Sequence, residues 1–164
     1  MKKILLLSDT HGYIDEVILK HVATADEVWH AGDIGTVTVT DEITRIKPLK
    51  AVFGNIDGHE LRVQYKEDEI FYCENIKVFI THIGGYPGAY AKGVKEKLIA
   101  HKPNVFVCGH SHILKVSRDV SINNMLCLNP GAAGKHGFHK VRTMLKFAID
   151  KHKIKDLDVI EFEK

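Results

Sequence analysis

The sequence has little of what would hold or place a protein by means other than a folded core. Its 164 residues include only three cysteines, Cys73, Cys108 and Cys127, an odd number set among apolar residues. A disulfide framework is thereby excluded, and buried free thiols in a reducing compartment are expected. With four prolines and nothing Pro-rich, Ser-rich or repetitive enough to serve as a linker, and no internal repeat visible, residues 1–164 are expected to form a single domain. No apolar run approaches the roughly 20 residues of a membrane-spanning helix. The run Ile4-Leu5-Leu6-Leu7 behind Lys2-Lys3 is cut short by Asp9 and His11, too early for a signal peptide, and a cytoplasmic location is expected. The formal net charge is only +2, with Lys and Arg spread along the chain, which argues against long nucleic acid as a partner. Lysines thicken after Lys135, where they are expected to solvate the faces of alternating strands.

What is present is a 45% hydrophobic, 27% charged composition, enough to bury a substantial core in one domain. Residues 3–8 read as a buried strand, 13–23 as a helix, 26–33 as a strand, 39–46 as a helix stopped by Pro48, and 50–55 as a strand. This βαβαβ order implies a parallel sheet with its strand ends on one edge. Beyond it, 61–64, 69–73 and 76–82 read as three short strands, 84–88 as a Gly/Pro loop, and 90–101 as a helix ended by Pro103. Four more short strands are expected at 104–108, 113–116, 120–122 and 125–128, and two longer ones between 141 and 162. The fold class is α/β, a β core of mixed parallel and antiparallel strands in two layers flanked by helices.

Five of the strand-like runs end in metal-ligating chemistry. Ser8-Asp9-Thr10-His11-Gly12 follows the first, Gly32-Asp33 the second, Gly54-Asn55 the third, His82 the run from Val78, and Gly109-His110-Ser111-His112 the run from Val105. Open α/β sheets gather ligands outside the carboxyl ends of their strands, so these donors converge although they are far apart in sequence. Seven oxygen and imidazole donors without sulfur suit Mn²⁺, Ni²⁺, Co²⁺, Fe²⁺ or Zn²⁺. They are too many for one small ion and suit two if one carboxylate bridges, a pair about 3.5–4 Å apart being the usual arrangement for phosphoryl displacement.

These motifs, in this order, resemble the calcineurin-like metallophosphoesterase superfamily, whose signature is D-x-H, G-D, G-N-[HC]-[DE], an isolated His and G-H-x-H. They stand here as Asp9-Thr10-His11, Gly32-Asp33, Gly54-Asn55-Ile56-Asp57, His82 and Gly109-His110-Ser111-His112. The resemblance runs from residue 3 to about 134, includes Asn129-Pro130-Gly131, and by its short insertions is similar to the small bacterial and archaeal phosphodiesterase branch. It implies a four-layer αββα sandwich of two mixed β-sheets. It also implies two divalent ions, Mn²⁺ foremost, one held by Asp9, His11, Asp33 and His112 and the other by Asp33, Asn55, His82 and His110. Asp33 would bridge them, a hydroxide between the ions would be the nucleophile, and Asp33, Asn55 and His82 would be the catalytic members. The implied substrate is a small-molecule phosphate ester.

One position departs from the signature. Ile56 stands where many members carry the histidine proposed to protonate the leaving group, so leaving groups of low pKa should be favoured. His59 is a nearby substitute, and Asp57 and His30 are expected to orient ligands by hydrogen bonds. The glycine-rich segment 132–139 offers backbone N–H groups or Lys135 for a substrate phosphate. Against the enzyme stands a protein-binding scaffold, since the retromer subunit of this fold acts mainly through its surface, but its ligand set is partly eroded and here all seven positions are filled. A nuclease would need a basic groove. The alternating tail strands leave an edge on which a homo-oligomer could pair.

Overall fold

The computed structural model describes residues 1–164. Its first sheet is built from β1 (Lys2–Leu7), β2 (Glu27–His30), β3 (Leu49–Ala51), β11 (Val141–Asp150) and β12 (Lys153–Glu163), in the order β12-β11-β1-β2-β3. β1, β2 and β3 are parallel, while β11 and β12 add antiparallel at the far edge. The second sheet has the order β4-β5-β8-β10-β9, from β4 (Asp68–Cys73), β5 (Ile76–Thr81), β8 (Val105–Val107), β9 (Leu114–Asp119) and β10 (Met125–Pro130). There β5, β8 and β10 are parallel and the two edge strands antiparallel. A small hairpin, β6 (Gly85–Tyr86) and β7 (Ala89–Tyr90), stands apart.

Side chains alternate across each strand, and this assigns the layers. Ile4 and Leu6 of β1 join Trp29, Val78, Ile80, Val105 and Val107 in a core between the sheets. Leu5 and Leu7 face the other way, onto Ile18 and Val22 of α1 (Glu16–Thr24) and Val39 and Ile43 of α2 (Val37–Thr44). On the outer face of the second sheet, Phe79 and Phe106 pack on Val94 and Leu98 of α4 (Val94–His101). The four layers of the expected αββα sandwich follow. From Ile4 to Leu7 β1 is apolar without alternation because both faces of the strand are covered there.

Some local expectations are corrected. Residues 61–64 are not a strand but part of α3 (His59–Gln64), which begins after Gly58 and is tied back by Arg62 Nε donating to the Asp57 carbonyl at 2.6 Å. Of its apolar residues only Leu61 is buried, so a strand here would have had no core face to fill. Residues 120–122 form the turn between β9 and β10, where the Asp119 carboxylate accepts from the N–H and hydroxyl of Ser121. The helix expected from residue 90 starts at Val94, because the preceding residues form β7 and Gly93 adopts φ 82°. The first helix starts at Glu16, capped by Asp15 accepting from Ile18 N at 3.1 Å. All three cysteines are buried and free.

Candidate metal centre

The five expected donor segments lie together at the carboxyl ends of β1, β2, β3, β5 and β8. Backbone bonds carry the β1–β2 pairing into the loops: Asp9 N donates to Gly32 O at 3.0 Å, His11 N to Asp33 O at 3.0 Å and Gly12 N to Ile34 O at 2.7 Å. Gly109 N donates to His82 O at 2.9 Å, which places the β8 loop beside the end of β5. Asp57 is buried and joins two loops by accepting from Ile34 N, Gly35 N and Gly54 N at 2.8–3.1 Å. Asn129 does the same elsewhere, donating to Gly109 O and Ser111 Oγ and accepting from Gly131 N.

Five of the seven candidate donors, Asp9, His11, Asp33, His110 and His112, have left-handed backbones with φ between 47° and 70°. A non-glycine residue in that region costs of order 1 kcal/mol and persists only where its surroundings impose it. Glycine is required beside them. A Cβ on Gly54 would run into Asp33 Oδ1, and one on Gly109 would meet Ser8 Oγ and lie 2.7 Å from Asp9 Oδ2.

The resulting geometry is two neighbouring groups. The ligand atoms of Asp9, His11 and His112 lie within 4.8 Å of one another, as do those of Asp33, His82 and His110. Between the groups, His11 Nε2 is 3.5 Å from Asp33 Oδ2 and His82 Nε2 is 3.9 Å from Asp9 Oδ1. Asn55 Oδ1 lies 3.1 Å from His110 Nδ1. Asp9, Asp33 and His82 form the buried floor, whereas Asn55 and His110 are exposed. The floor opens into a cavity of about 510 Å³ bordered by His11, Asn55, Ile56, His112 and the loop from His136 to His139.

The electrostatics favour a cation. Asp9 gives Oδ2 to Ser8 Oγ at 2.6 Å and His110 N at 3.1 Å, while Oδ1 is buried without a hydrogen-bond partner. His82 Nδ1 lies 2.7 Å from Ala31 O, a pure acceptor, so Nδ1 carries the hydrogen and Nε2 faces Asp33 Oδ2 at 3.2 Å. His82 Nε2 and His11 Nε2 are also buried without partners. Burial disfavours charge on Asp9, yet its histidine neighbours and Ser8 outweigh this and hold the carboxyl well below the usual carboxylate range. Burial likewise opposes ionisation of Asp33 and protonation of His82, and their mutual interaction overrides it, lowering Asp33 and raising His82. Orphaned oxygen and imidazole atoms aimed at one another fit divalent ions of the Mn²⁺ to Zn²⁺ series.

Three neighbouring residues take parts the sequence did not assign as such. His30 is fully buried; its Nδ1 accepts from Gly32 N at 3.1 Å and its Nε2 lies 3.0 Å from Thr10 Oγ1, so it braces the loops without facing the donors. The Lys135 ammonium sits 4.7 Å from the centroid of the Tyr13 ring and does not border the cavity. His136 stacks on His11 instead, ring centroids 4.7 Å apart, and the only sequence sign of it was the Gly-rich context. His59 does not border the cavity either, so no histidine of that loop stands in for Ile56.

Comparison with known proteins gives the family and the fold. The family model described as calcineurin-like phosphoesterase superfamily domain matches residues 1–152. A probable metallophosphoesterase of Mycoplasma pneumoniae is 29% identical over 137 residues, 80% of this chain and 79% of that protein. Another, of Methanothermobacter thermautotrophicus, is 24% identical over 132 residues, 77% and 74% of the two chains. Among solved structures, a single mutant of Vps29 from Entamoeba histolytica superposes with a TM-score of 0.77 at 17% identity, covering 98% of this chain and 99% of that one.

Proposed function

Because the chain belongs to the calcineurin-like phosphoesterase superfamily, we propose that it is a divalent-metal-dependent phosphodiesterase hydrolysing a small phosphate ester at a dinuclear site. The observation that carries this reading is the pair of adjoining donor groups, Asp9/His11/His112 and Asp33/His82/His110, with buried unpaired atoms between them. Asp33 is shared by the two positions, and Asn55 completes the second. Mn²⁺ is the ion proposed first, following the family resemblance, and Ni²⁺, Co²⁺, Fe²⁺ and Zn²⁺ fit the same donors. When bound, two such ions lower the pKa of a shared water and screen charge developing on the phosphoryl oxygens.

The chain's own part is positioning. Ala31 holds the His82 ring, Asn129 holds the His110–His112 loop, and Asp57 holds the loops that present Asp33 and Asn55. Asp33, Asn55 and His82 are assigned the catalytic roles, as the shared carboxylate, an amide at the open face and a buried imidazole that fixes that carboxylate. Ile56 borders the cavity and brings no proton, so a leaving group that departs as a stable anion, such as a phenolate, is favoured. A scaffold role on this fold is the second reading. Five left-handed donors speak against it, because a surface-binding protein gains nothing from that strain.

Hydrolysis of bis(p-nitrophenyl) phosphate by metal-stripped protein, before and after Mn²⁺ is added, tests the proposal. Turnover restored by the metal is expected. No turnover with Mn²⁺, Ni²⁺ or Co²⁺ would transfer the weight to the scaffold.

A further inference from the structure

A second cavity, of about 380 Å³, adjoins the first, and His110, Ser111 and Ile113 line both. It lies between the β6–β7 hairpin and the inner part of β9 and β10. Its volume is that of a small-molecule site. We infer that this cavity seats an aryl or heteroaryl arm of the phosphate ester, a deepening that rests on the phosphoesterase reading above.

Three observations carry the inference. The first is exposed apolar surface gathered at one place: Ile83, Tyr86 and Ile113 are 44%, 47% and 66% exposed, and all border this cavity. Two of them directly follow the candidate donors His82 and His112, so this surface begins where the phosphoryl site ends. Apolar surface clustered at the rim of a polar site is characteristic of a ligand groove.

The second is charge. The lining contains no Asp or Glu, and its one lysine, Lys115, holds its ammonium 3.5 Å from the centroid of the Tyr86 ring. A flat ring fits beside Tyr86, and a substituent bearing acceptor oxygens or a negative charge is drawn to Lys115. Ser117 Oγ, also in the lining, is buried without a hydrogen-bond partner and gives the occupant a further polar contact.

The third is the seam. Ser111 Oγ accepts from Asn129 Nδ2 at 3.1 Å and from Ile113 N at 3.2 Å, which uses its acceptor capacity and leaves its proton to donate. That hydroxyl stands where the two cavities join, placed for an ester oxygen. The chemistry at Ile56 points independently to the same substrate class, since an aryl oxide departs without the missing proton donor.

The test is NMR titration of the full ¹⁵N-labelled chain loaded with Zn²⁺, using phenylphosphonate, methylphosphonate and 4-carboxyphenylphosphonate as non-hydrolysable probes. Phenylphosphonate and methylphosphonate should both shift the amides of residues 109–112, and only phenylphosphonate those of 84–91 and 115–117. In Ala89→Trp, which fills the mouth of the cavity from the hairpin, the ratio of phenylphosphonate to methylphosphonate affinity should fall at least fivefold. In Lys115→Ala the advantage of 4-carboxyphenylphosphonate over phenylphosphonate should disappear. Identical shifts from the first two probes, confined to 109–112, would overturn the inference and leave the phosphoesterase reading standing. No shift at 109–112 from any probe would overturn that reading and the inference with it.

Discussion

The His82 ring donates Nδ1–H to the Ala31 carbonyl at 2.7 Å and thereby turns Nε2 toward Asp33 Oδ2, 3.2 Å away. One backbone oxygen thus sets which nitrogen is free for a cation. His82→Ala should lower bound Mn²⁺, measured by metal analysis after gel filtration, from about two ions per chain to about one, and reduce phosphodiester turnover at least 100-fold. An unchanged metal content would place His82 outside the site.

Metal should stabilise the fold. The floor of the site brings two carboxylates together with no lysine or arginine among its ion pairs. At 100 times its dissociation constant, a ligand binding only the folded state adds about 2.7 kcal/mol, or roughly 5–10 °C in Tm for a chain of this size. Asp33→Asn removes one of the charges. Against the effect of burial, the fold lowers the pKa of that carboxylate through His82, so the variant should melt below the wild type in EDTA, and in Mn²⁺ it should show less than half of the wild-type increase, both read by thermal denaturation.

His30 makes stability pH-dependent. Complete burial pushes its pKa down from 6.5 to about 4, so the folded chain keeps it neutral while the unfolded chain takes up a proton below 6.5. Its contribution is therefore fully present above pH 6.5 and is lost as the pH falls toward 4, amounting to about 3 kcal/mol over that window. Urea titrations in EDTA at pH 7, 6 and 5 should show this fall. In His30→Gln the proton uptake on unfolding should drop by about one, and an unchanged slope would show that His30 does not set it.

Ile56 offers a gain of function. Ile56→His places an imidazole at the mouth of the cavity and should raise turnover of an alkyl phosphodiester by roughly 100-fold, with little effect on a p-nitrophenyl ester. The comparison to make is the ratio of the two rates in wild type and variant. Equal rates on aryl and alkyl diesters in the wild type would remove the basis of the argument.

The strand-end donors were legible because each is announced by an apolar run breaking into a turn, and β1 reads as doubly covered because it does not alternate. Leu61-Arg62-Val63-Gln64 alternates as a strand would, yet forms helix, since Val63 is 66% exposed and the contacts of Arg62 are local. Val120-Ser121-Ile122 carries β-branched residues, but the Asp119 side chain captures the backbone in a turn, and Asn123 and Asn124 follow with φ near 50°. His136 is marked by no motif; it meets His11 only because Gly134 N bonds to Asp9 O at 3.2 Å and brings the two loops together. Lys135 was the more obvious phosphate ligand by charge, but it does not border the cavity. Pairings between segments a hundred residues apart have no local signature.

The two donor groups do not divide along the sandwich. Asp9, His11 and Asp33 issue from the first sheet, and His82, His110 and His112 from the second, so each group draws on both. An ion held there works as a rivet through the seam, and the sheets cannot part at that edge without releasing it. The chain therefore has a built-in gauge of its own integrity: the rate at which it gives up metal to a chelator reports how often its two halves breathe apart.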